Sequence, residues 1–163
     1  IGHHDGKEFR NFVQSLTFEF VINCANEQLQ KMDSRYLLQP AKENGLDLMV
    51  IDHWQGDLIR TIKNLSGGES FIVSLALALG LSDITGHKDQ IDSLFLDEGF
   101  GTLDEETLNI AMNTLSDLNQ QGRLIGIISH VEALKERITT QIEVIKNSDG
   151  TSRLQGAGCS RIS

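Results

Sequence analysis

The stretch Ser93-Leu94-Phe95-Leu96-Asp97-Glu98-Gly99-Phe100-Gly101-Thr102-Leu103-Asp104 decides the fold that the sequence predicts. Apolar residues over 91–96 predict a short buried strand, and the acidic pair Asp97-Glu98 follows it directly. Glycines on both sides of Phe100 predict a tight loop, and the apolar face of 105–118 predicts an amphipathic helix. A strand, an acidic pair, a loop and a helix in this order are typical of an α/β sheet.

The acidic pair is the first candidate for chemistry. In a parallel sheet, Asp97 and Glu98 would lie at the carboxyl ends of the strands, where open α/β folds bind ligands. Side chains alternate along a strand, so the two carboxylates are expected to point in different directions. One suits the hydrated shell of Mg²⁺, and the other could orient or deprotonate an attacking water. Two solvated surface acids are the simpler interpretation, and the pair alone favours it.

Thr102 within this stretch and His130 after it are two further polar residues to explain. Thr102 and Glu105 have capping-box spacing, which is the stronger explanation of Thr102. His130 follows a second apolar segment, 124–128, which predicts another buried strand. A lone histidine is more often packed or solvated than catalytic. We nevertheless expect His130 at the same sheet edge as Asp97, and this placement makes it a candidate.

Upstream, Leu65-Ser66-Gly67-Gly68-Glu69 precedes the apolar run 71–81, which predicts a helix buried on all sides. Ser66 and Glu69 also fit a capping box. The box does not explain the two glycines, each of which costs up to about 1 kcal/mol relative to alanine in a first helical turn. Adjacent glycines are expected where a ligand approaches the backbone amides, and a helix N-terminus favours an anion such as phosphate.

The remaining segments complete an α/β fold class: a mainly parallel sheet with flanking helices, a small antiparallel β meander and a long N-terminal helix. The predicted segments are the helix 7–31, meander strands 35–38, 46–52 and 58–65, a helix at 131–138 and a strand at 141–146. After an Asp149-Gly150 turn we expect a ragged tail. The helix 7–31 is either an ordinary first helix or the stump of a coiled coil.

Composition narrows the class of protein. The 163 residues are 39% hydrophobic and 23% charged, which excludes disordered, collagen-like and disulfide-scaffold classes. Two cysteines fit a reducing compartment. The net charge of −9 argues against this piece alone gripping nucleic acid. The longest apolar run is about half of the roughly 20 residues that a membrane span needs, so no membrane partner is expected.

In this order, the motifs resemble the C-terminal half of an ABC-type ATPase. Leu65–Glu69 is similar to the signature motif, Leu94–Glu98 to the Walker B strand, Gly101–Asp104 to the D-loop and His130 to the switch histidine. Three longer segments resemble more closely the C-terminal ATPase lobe of bacterial SbcC-type exonuclease subunits, within the SMC-like family. They are Asn64–Phe71, Asp97–Asp104 and Ile128–Val131. Transporter ATPases rarely carry the Gly-Phe-Gly insertion after Glu98.

The resemblance implies a lobe that needs a partner lobe. The sequence contains no P-loop: 80–88 has one residue too many between its glycines and follows a helix instead of a strand. In SbcC-type subunits the P-loop lies in an N-terminal lobe beyond a long coiled coil. The implied domains are therefore a coil-proximal helix (1–34), the ATPase C-terminal lobe (35–154) and a tail (155–163).

The resemblance also implies ATP and Mg²⁺ as cofactors, and a role for each motif. Leu65, Ser66, Gly67, Gly68 and Glu69 would bind nucleotide, with Ser66 and the glycines contacting the γ-phosphate held by the opposite subunit. Asp97 would help to hold Mg²⁺, Glu98 would polarise the attacking water and His130 would sense the γ-phosphate. The dimer interface would include Gly101, Thr102, Leu103 and Asp104.

The implied partners are an N-terminal lobe with the P-loop, a second copy of the head, an SbcD-like nuclease subunit and double-stranded DNA ends. The expected location is the cytoplasm, near the nucleoid. Three alternatives remain: an SMC-type chromosome-structuring ATPase lobe, a metal-dependent nuclease that uses Asp97 and Glu98 directly, and a non-catalytic interaction module. The nuclease alternative lacks a third or fourth nearby ligand.

Overall fold

The computed structural model describes residues 2–41, 47–84 and 93–159, which fall into two compact units, 1–128 and 129–163. The first unit contains α1 (Gly2–Met32), β1 (Tyr36–Pro40), β2 (Leu48–Asp52), β3 (Leu58–Thr61), α2 (Gly67–Ile84), β4 (Ser93–Asp97), α3 (Glu105–Gln120) and β5 (Leu124–Ile128). The second contains α4 (Glu132–Arg137), β6 (Ile142–Lys146) and β7 (Ser152–Gly156). The predicted order of helices and strands is confirmed up to β6.

The packing of α1 against α2 forms the centre of the first unit. Ile22, Ala25 and Leu29 of α1 are buried, as are Ile72, Leu75, Ala76 and Leu79 of α2. The helices touch at Gly80, where a Cβ atom would lie 2.5 Å from the Ala25 backbone nitrogen. Only glycine permits this approach. The N-terminal part of α1 is different, because Phe9, Phe12, Leu16 and Phe20 are each at least half exposed.

The predicted meander is present as the antiparallel sheet β1-β2-β3. Tyr36 pairs with Asp52 across β1 and β2, and Asp52 pairs in turn with Leu58 of β3. Alternation along β2 places Val50 and Asp52 on one face, and both are fully buried. The meander therefore buries one carboxylate, which needs partners there.

The strands β4 and β5 form a parallel pair, in which Asp97 lies opposite Ile128. Their predicted burial is wrong on one face: Phe95 is 68% exposed, Leu124 62% and Ile128 57%. The register places these three side chains on the same face, while Leu94, Leu96, Ile125 and Ile127 alternate to the half-buried one. A short apolar run predicts a strand but does not reveal that one of its faces is uncovered in this chain.

Two other expectations are also corrected. The helix α2 is not buried on all sides, because Ser70, Ser74, Ala78 and Leu81 form an exposed stripe. Small residues among leucines obscured its 3.6-residue period. The tail after Asp149-Gly150 begins with a strand, β7, which pairs antiparallel with β6. Leu46, Ile91, Asp92 and the 85–88 part of the rejected P-loop segment lie outside the described residues.

Within the part of the chain that the structure describes, no helix is both long enough and apolar enough to cross a membrane.

Candidate functional site

The segment Leu65–Glu69, here called the glycine turn, forms the capping box that the sequence predicts. The Ser66 backbone N–H donates to Glu69 Oε2 at 2.7 Å, and the Glu69 N–H donates to Ser66 Oγ at 3.3 Å. These reciprocal bonds satisfy two donors at the start of α2. Ser66 and Gly67 are exposed and Gly68 is buried. The turn thus presents Ser66 and Gly67 to solvent at a helix N-terminus.

The segment Asp97–Asp104, here called the acidic loop, turns sharply where β4 ends. Glu98 has φ of 62° and Gly99 has φ of 93°, so two successive residues are left-handed. A non-glycine residue in this region carries backbone strain, and such strain clusters at functional sites. The Glu98 N–H donates to the Ile128 carbonyl at 2.9 Å, which fixes the turn to the end of β5. Both Asp97 and Glu98 are exposed.

The cap of α3 differs from the prediction. Asp104, and not Thr102, is the N-cap: its Oδ1 accepts a hydrogen bond from the Thr107 N–H at 2.7 Å. The Thr102–Glu105 capping box is therefore wrong, and the Thr102 hydroxyl donates instead to the Gly99 carbonyl at 3.3 Å. Asp104 lies directly before the helix and has the stronger capping side chain. The bonds from Thr107 hold the pKa of Asp104 below its usual range.

The glycine turn and the acidic loop touch each other. A Cβ atom on Gly67 would lie 2.7 Å from Thr102 Cβ, and one on Gly68 would lie 3.3 Å from Thr107 Oγ1. Behind them, the buried Phe100 ring packs on Phe71 of α2 with centroids 4.9 Å apart. Contact within the chain therefore gives Gly67 a structural reason, in addition to the ligand approach that the sequence predicts.

A charge network that sequence reasoning missed lies behind the glycine turn; it is called the buried charge network here because Asp52, at its centre, is fully buried while its other members are partly exposed. It consists of Arg35, Asp52, Arg60 and Glu69. Asp52 is fully buried and accepts from Arg35 Nε at 2.9 Å and Nη2 at 2.7 Å. Arg60 Nη2 donates to Asp52 Oδ2 at 2.9 Å and to Glu69 Oε1 at 3.1 Å. Two guanidinium groups thus balance two carboxylates.

The contacts of this network shift the pKa values of its acids. Burial alone would raise the pKa of Glu69, but bonds from the Ser66 N–H, the Tyr36 hydroxyl and Arg60 lower it to about 2. The bidentate bond from Arg35 lowers the pKa of Asp52 against the opposing effect of burial. Burial and the bond to Glu69 raise the pKa of Tyr36. Both acids are therefore ionised at neutral pH.

A small cavity of about 170 Å³ opens beside the glycine turn and the N-terminus of α3. Its lining includes Arg35, Trp54, Glu69, Asp104 and Glu106. The Arg35 guanidinium lies over the Trp54 ring, 5.2 Å from its centroid, so that it is stacked as well as paired. The cavity is polar and carries more acids than bases, which does not suit an anion deep within it.

The described residues fit a partial Mg²⁺ site. None of them form a group of three or more His, Cys, Asp or Glu side chains that could hold a metal by themselves. Mg²⁺ commonly takes one or two protein carboxylates and completes its shell with water and phosphate oxygens. Exposed Asp97 at the end of β4 fits that limited contribution. His130 belongs to the second unit, before α4, and is exposed.

Comparison with known structures defines the class of fold. A structure described as "Structural biochemistry of ATP-driven dimerization and DNA stimulated activation of SMC ATPases" superimposes with a TM-score of 0.68, covering 91% of this chain and 89% of that one at 16% identity. An SMC head domain from Thermotoga maritima gives a TM-score of 0.58 over 92% of this chain and 52% of that one at 19% identity. The fold is that of an SMC-type ATPase head.

Comparison of sequences identifies the family to which the chain belongs. Residues 35–117 match the family described as SbcC/RAD50-like, Walker B motif, and the chain belongs to this family. It is 43% identical over 158 residues to the SbcC subunit of the SbcCD nuclease from Pseudomonas aeruginosa, and 44% identical over 158 residues to the corresponding subunit from Rhodobacter capsulatus. Each match covers 97% of this chain and 13% of the relative, so the chain spans about an eighth of their length.

Proposed function

We propose that this chain is the C-terminal half of the ATP-binding and ATP-hydrolysing head of an SbcC-like subunit in a DNA repair exonuclease complex. One observation carries the proposal: the exposed glycine turn lies against the acidic loop, with Gly67 in contact with Thr102. The two motifs thereby form one continuous surface, in which the glycine turn would contact the nucleotide of the opposite head and the acidic loop would act on the nucleotide of its own head. The family assignment and the SbcCD relatives support the same function and do not favour an SMC-type chromosome-structuring role.

In this proposal the nucleotide comes from outside the chain. A P-loop lobe would cradle the phosphates of ATP with Mg²⁺, which neutralises charge as it develops on the phosphates. A second copy of the head would then present its glycine turn, where Ser66, Gly67 and Gly68 contact the γ-phosphate. Leu65 is half-buried at the start of this turn, and Glu69 caps it. Asp104 and the rest of Gly101–Asp104 would lie at the interface between the two heads.

The acidic loop would supply the chemistry. Asp97 would contribute one carboxylate to Mg²⁺, and Glu98 would accept a hydrogen bond from the attacking water and orient it. Asp97 ends β4, whereas Glu98 has a left-handed backbone. His130 would contact the γ-phosphate as a sensor. It follows β5, whose last residue pairs with Asp97.

The exposed face of β4 and β5 supports the need for a P-loop lobe. Phe95, Leu124 and Ile128 together expose a contiguous apolar surface on a sheet of two strands. Parallel sheets are normally covered on both faces. We propose that the N-terminal lobe of the same protein covers this face, and that α1, with its exposed phenylalanines, continues into the coiled coil that connects the lobes.

The wider partners follow from the family. The relatives carry the name of a nuclease subunit, so we propose an SbcD-like nuclease as the partner and double-stranded DNA ends as the substrate of the assembled complex. ATP-driven engagement of two heads would regulate that nuclease. The proposed location is the cytoplasm, in association with the nucleoid. The net charge of −9 indicates that DNA contacts lie largely elsewhere in the complex.

ATP turnover tests the proposal. The chain alone is expected to hydrolyse ATP negligibly, because it has no P-loop to hold the phosphates. The chain joined to a P-loop lobe should turn over, and Glu98→Gln should abolish that turnover while leaving ATP binding intact. Appreciable turnover by the chain alone, lost in Glu98→Gln, would contradict the two-lobe function.

A further inference from the structure

The contact between the buried charge network and the glycine turn passes through a single carboxylate. Glu69 Oε2 accepts the Ser66 N–H, while Glu69 Oε1 accepts both the Tyr36 hydroxyl at 2.9 Å and Arg60 Nη2 at 3.1 Å. Each oxygen therefore has a separate task. Oε2 caps the glycine turn, and Oε1 is bound by Tyr36 and Arg60 of the meander.

Arg60 is the residue that connects the two acids. Its Nη2 hydrogen-bonds both Asp52 and Glu69, and its side chain is only 16% exposed. Arg35 Nη2 also forms a longer ion pair with Glu69 Oε1, at 3.6 Å. Asp52 is held in turn by both nitrogens of the Arg35 fork. Since Arg35 follows the end of α1 by three residues, the network joins the base of α1, through β2 and β3, to the first turn of α2.

The charge of Glu69 poses a problem for the proposed phosphate contact. Its carboxylate lies one hydrogen bond from Ser66, so a phosphate that contacts Ser66 would approach a negative group. Like charges at such a distance repel strongly when they are shielded from water. Arg60 offsets that repulsion because its positive charge lies on the far oxygen of the same carboxylate.

We propose that Arg60 is a positioning residue for the contact between the glycine turn and the γ-phosphate of the opposite head. It holds Glu69 and neutralises its charge, so that the glycine turn can accept this phosphate. Asp52 and Arg35 keep Arg60 in place. The proposal rests on the proposed function. It adds a requirement that the glycine-turn motif itself does not contain, namely a cation from β3.

The experiment uses the head formed by this chain together with a P-loop lobe, and measures dimerisation against the concentration of a non-hydrolysable ATP analogue. Arg60→Met should raise the concentration for half-maximal dimerisation about tenfold, because Glu69 loses its hydrogen-bonded cation and keeps only the longer ion pair with Arg35. Binding of the analogue to the monomeric head should stay unchanged, since Arg60 acts on the opposite subunit's nucleotide. Lys63→Met, which removes an exposed cation three residues away, is the matched control.

The decisive arm is the double variant Arg60→Met/Glu69→Gln. Glutamine can still cap Ser66 but carries no charge, so dimerisation should return to within about twofold of the wild type. If the double variant stays as impaired as Arg60→Met, or if Arg60→Met behaves as the wild type, the positioning role is overturned. Should Arg60→Met fail to fold, Arg60→Gln with and without Glu69→Gln gives the same comparison, because glutamine keeps a hydrogen-bond donor but carries no charge.

One further variant separates this inference from the proposed function. Ser66→Arg places a bulky side chain on the glycine turn and should abolish analogue-dependent dimerisation. Normal dimerisation of Ser66→Arg would overturn the proposed function itself. If Ser66→Arg is blocked while Arg60→Met dimerises as the wild type does, the function stands and only the role of Arg60 is wrong.

Discussion

The rings of Phe71 and Phe100 pack against each other at 56°, with their centroids 4.9 Å apart. Phe71 lies one turn into α2, after the glycine turn, and Phe100 is the centre of the acidic loop. This hydrophobic contact, here called the joint, connects the helix that follows the glycine turn to the acidic loop. Gly99 adds to it, since a Cβ atom there would lie 3.2 Å from the Phe71 ring. The Gly-Phe-Gly insertion serves this joint.

Phe100→Ala should destabilise the chain and loosen the site. Phe100 is 2% exposed, and removing a buried phenylalanine costs about 3–5 kcal/mol. The free energy of unfolding, from urea denaturation, measures the loss. Phe95→Ala removes a ring that is 68% exposed and is the matched control, with a change below about 1 kcal/mol in the chain alone. Equal losses in the two variants would contradict a joint at Phe100.

Phe95 should matter instead for assembly. Phe95→Asp introduces a charge on the face that we propose is covered by the P-loop lobe, and burying an unpaired charge is unfavourable. Binding between separately produced lobes, measured by calorimetry, should weaken at least about tenfold. Ile59→Asp, at an exposed apolar position of the meander, is the control. Undiminished binding of Phe95→Asp would place the lobe interface elsewhere.

The sequence predicts well those features that depend on neighbours along the chain. The Ser66–Glu69 capping box needs a spacing of three residues, and it is present. The α3 cap was misassigned because Thr102 and Asp104 both offer capping side chains within one short loop, and the backbone path decides between them. Exposure of Phe95 could not be predicted, because a strand that is buried in a larger assembly has the same apolar pattern.

The buried charge network escaped prediction for a different reason. Arg35 and Asp52 are 17 residues apart in the sequence, and their contact exists only because β1 and β2 pair. One signal was nevertheless available. Alternation puts Asp52 on the same face as Val50, and an acid in the buried register of a strand requires a cationic partner. The arginines of the predicted meander, Arg35 and Arg60, were the candidates for that partner.

The stability of the chain should fall in acid through Glu69. Its pKa is lowered from an ordinary value of 4.5 to about 2 in the folded state. A lowered pKa stabilises the folded form above the unfolded value, and this contribution disappears as the pH falls from about 4.5 towards 2. Urea denaturation across that range should show the decline, and Glu69→Gln should make it shallower, while Asp52, whose pKa is also lowered, still contributes. An equally steep decline in Glu69→Gln would contradict this role of Glu69.

Gly67→Ala should destabilise the chain, although alanine is normally the better helix former by about 1 kcal/mol. The added Cβ would lie 2.7 Å from Thr102 Cβ, so the acidic loop must move away from the glycine turn. Thr102→Gly removes the clashing atoms, and the double variant should therefore be more stable than the sum of the single changes predicts. Thermal unfolding of all four proteins measures this coupling.

Gly101→Ala, where an added Cβ meets nothing within 4 Å, is the control. Additive effects of Gly67→Ala and Thr102→Gly would mean that the two motifs do not restrain each other, and the continuous surface on which the proposed function depends would be lost.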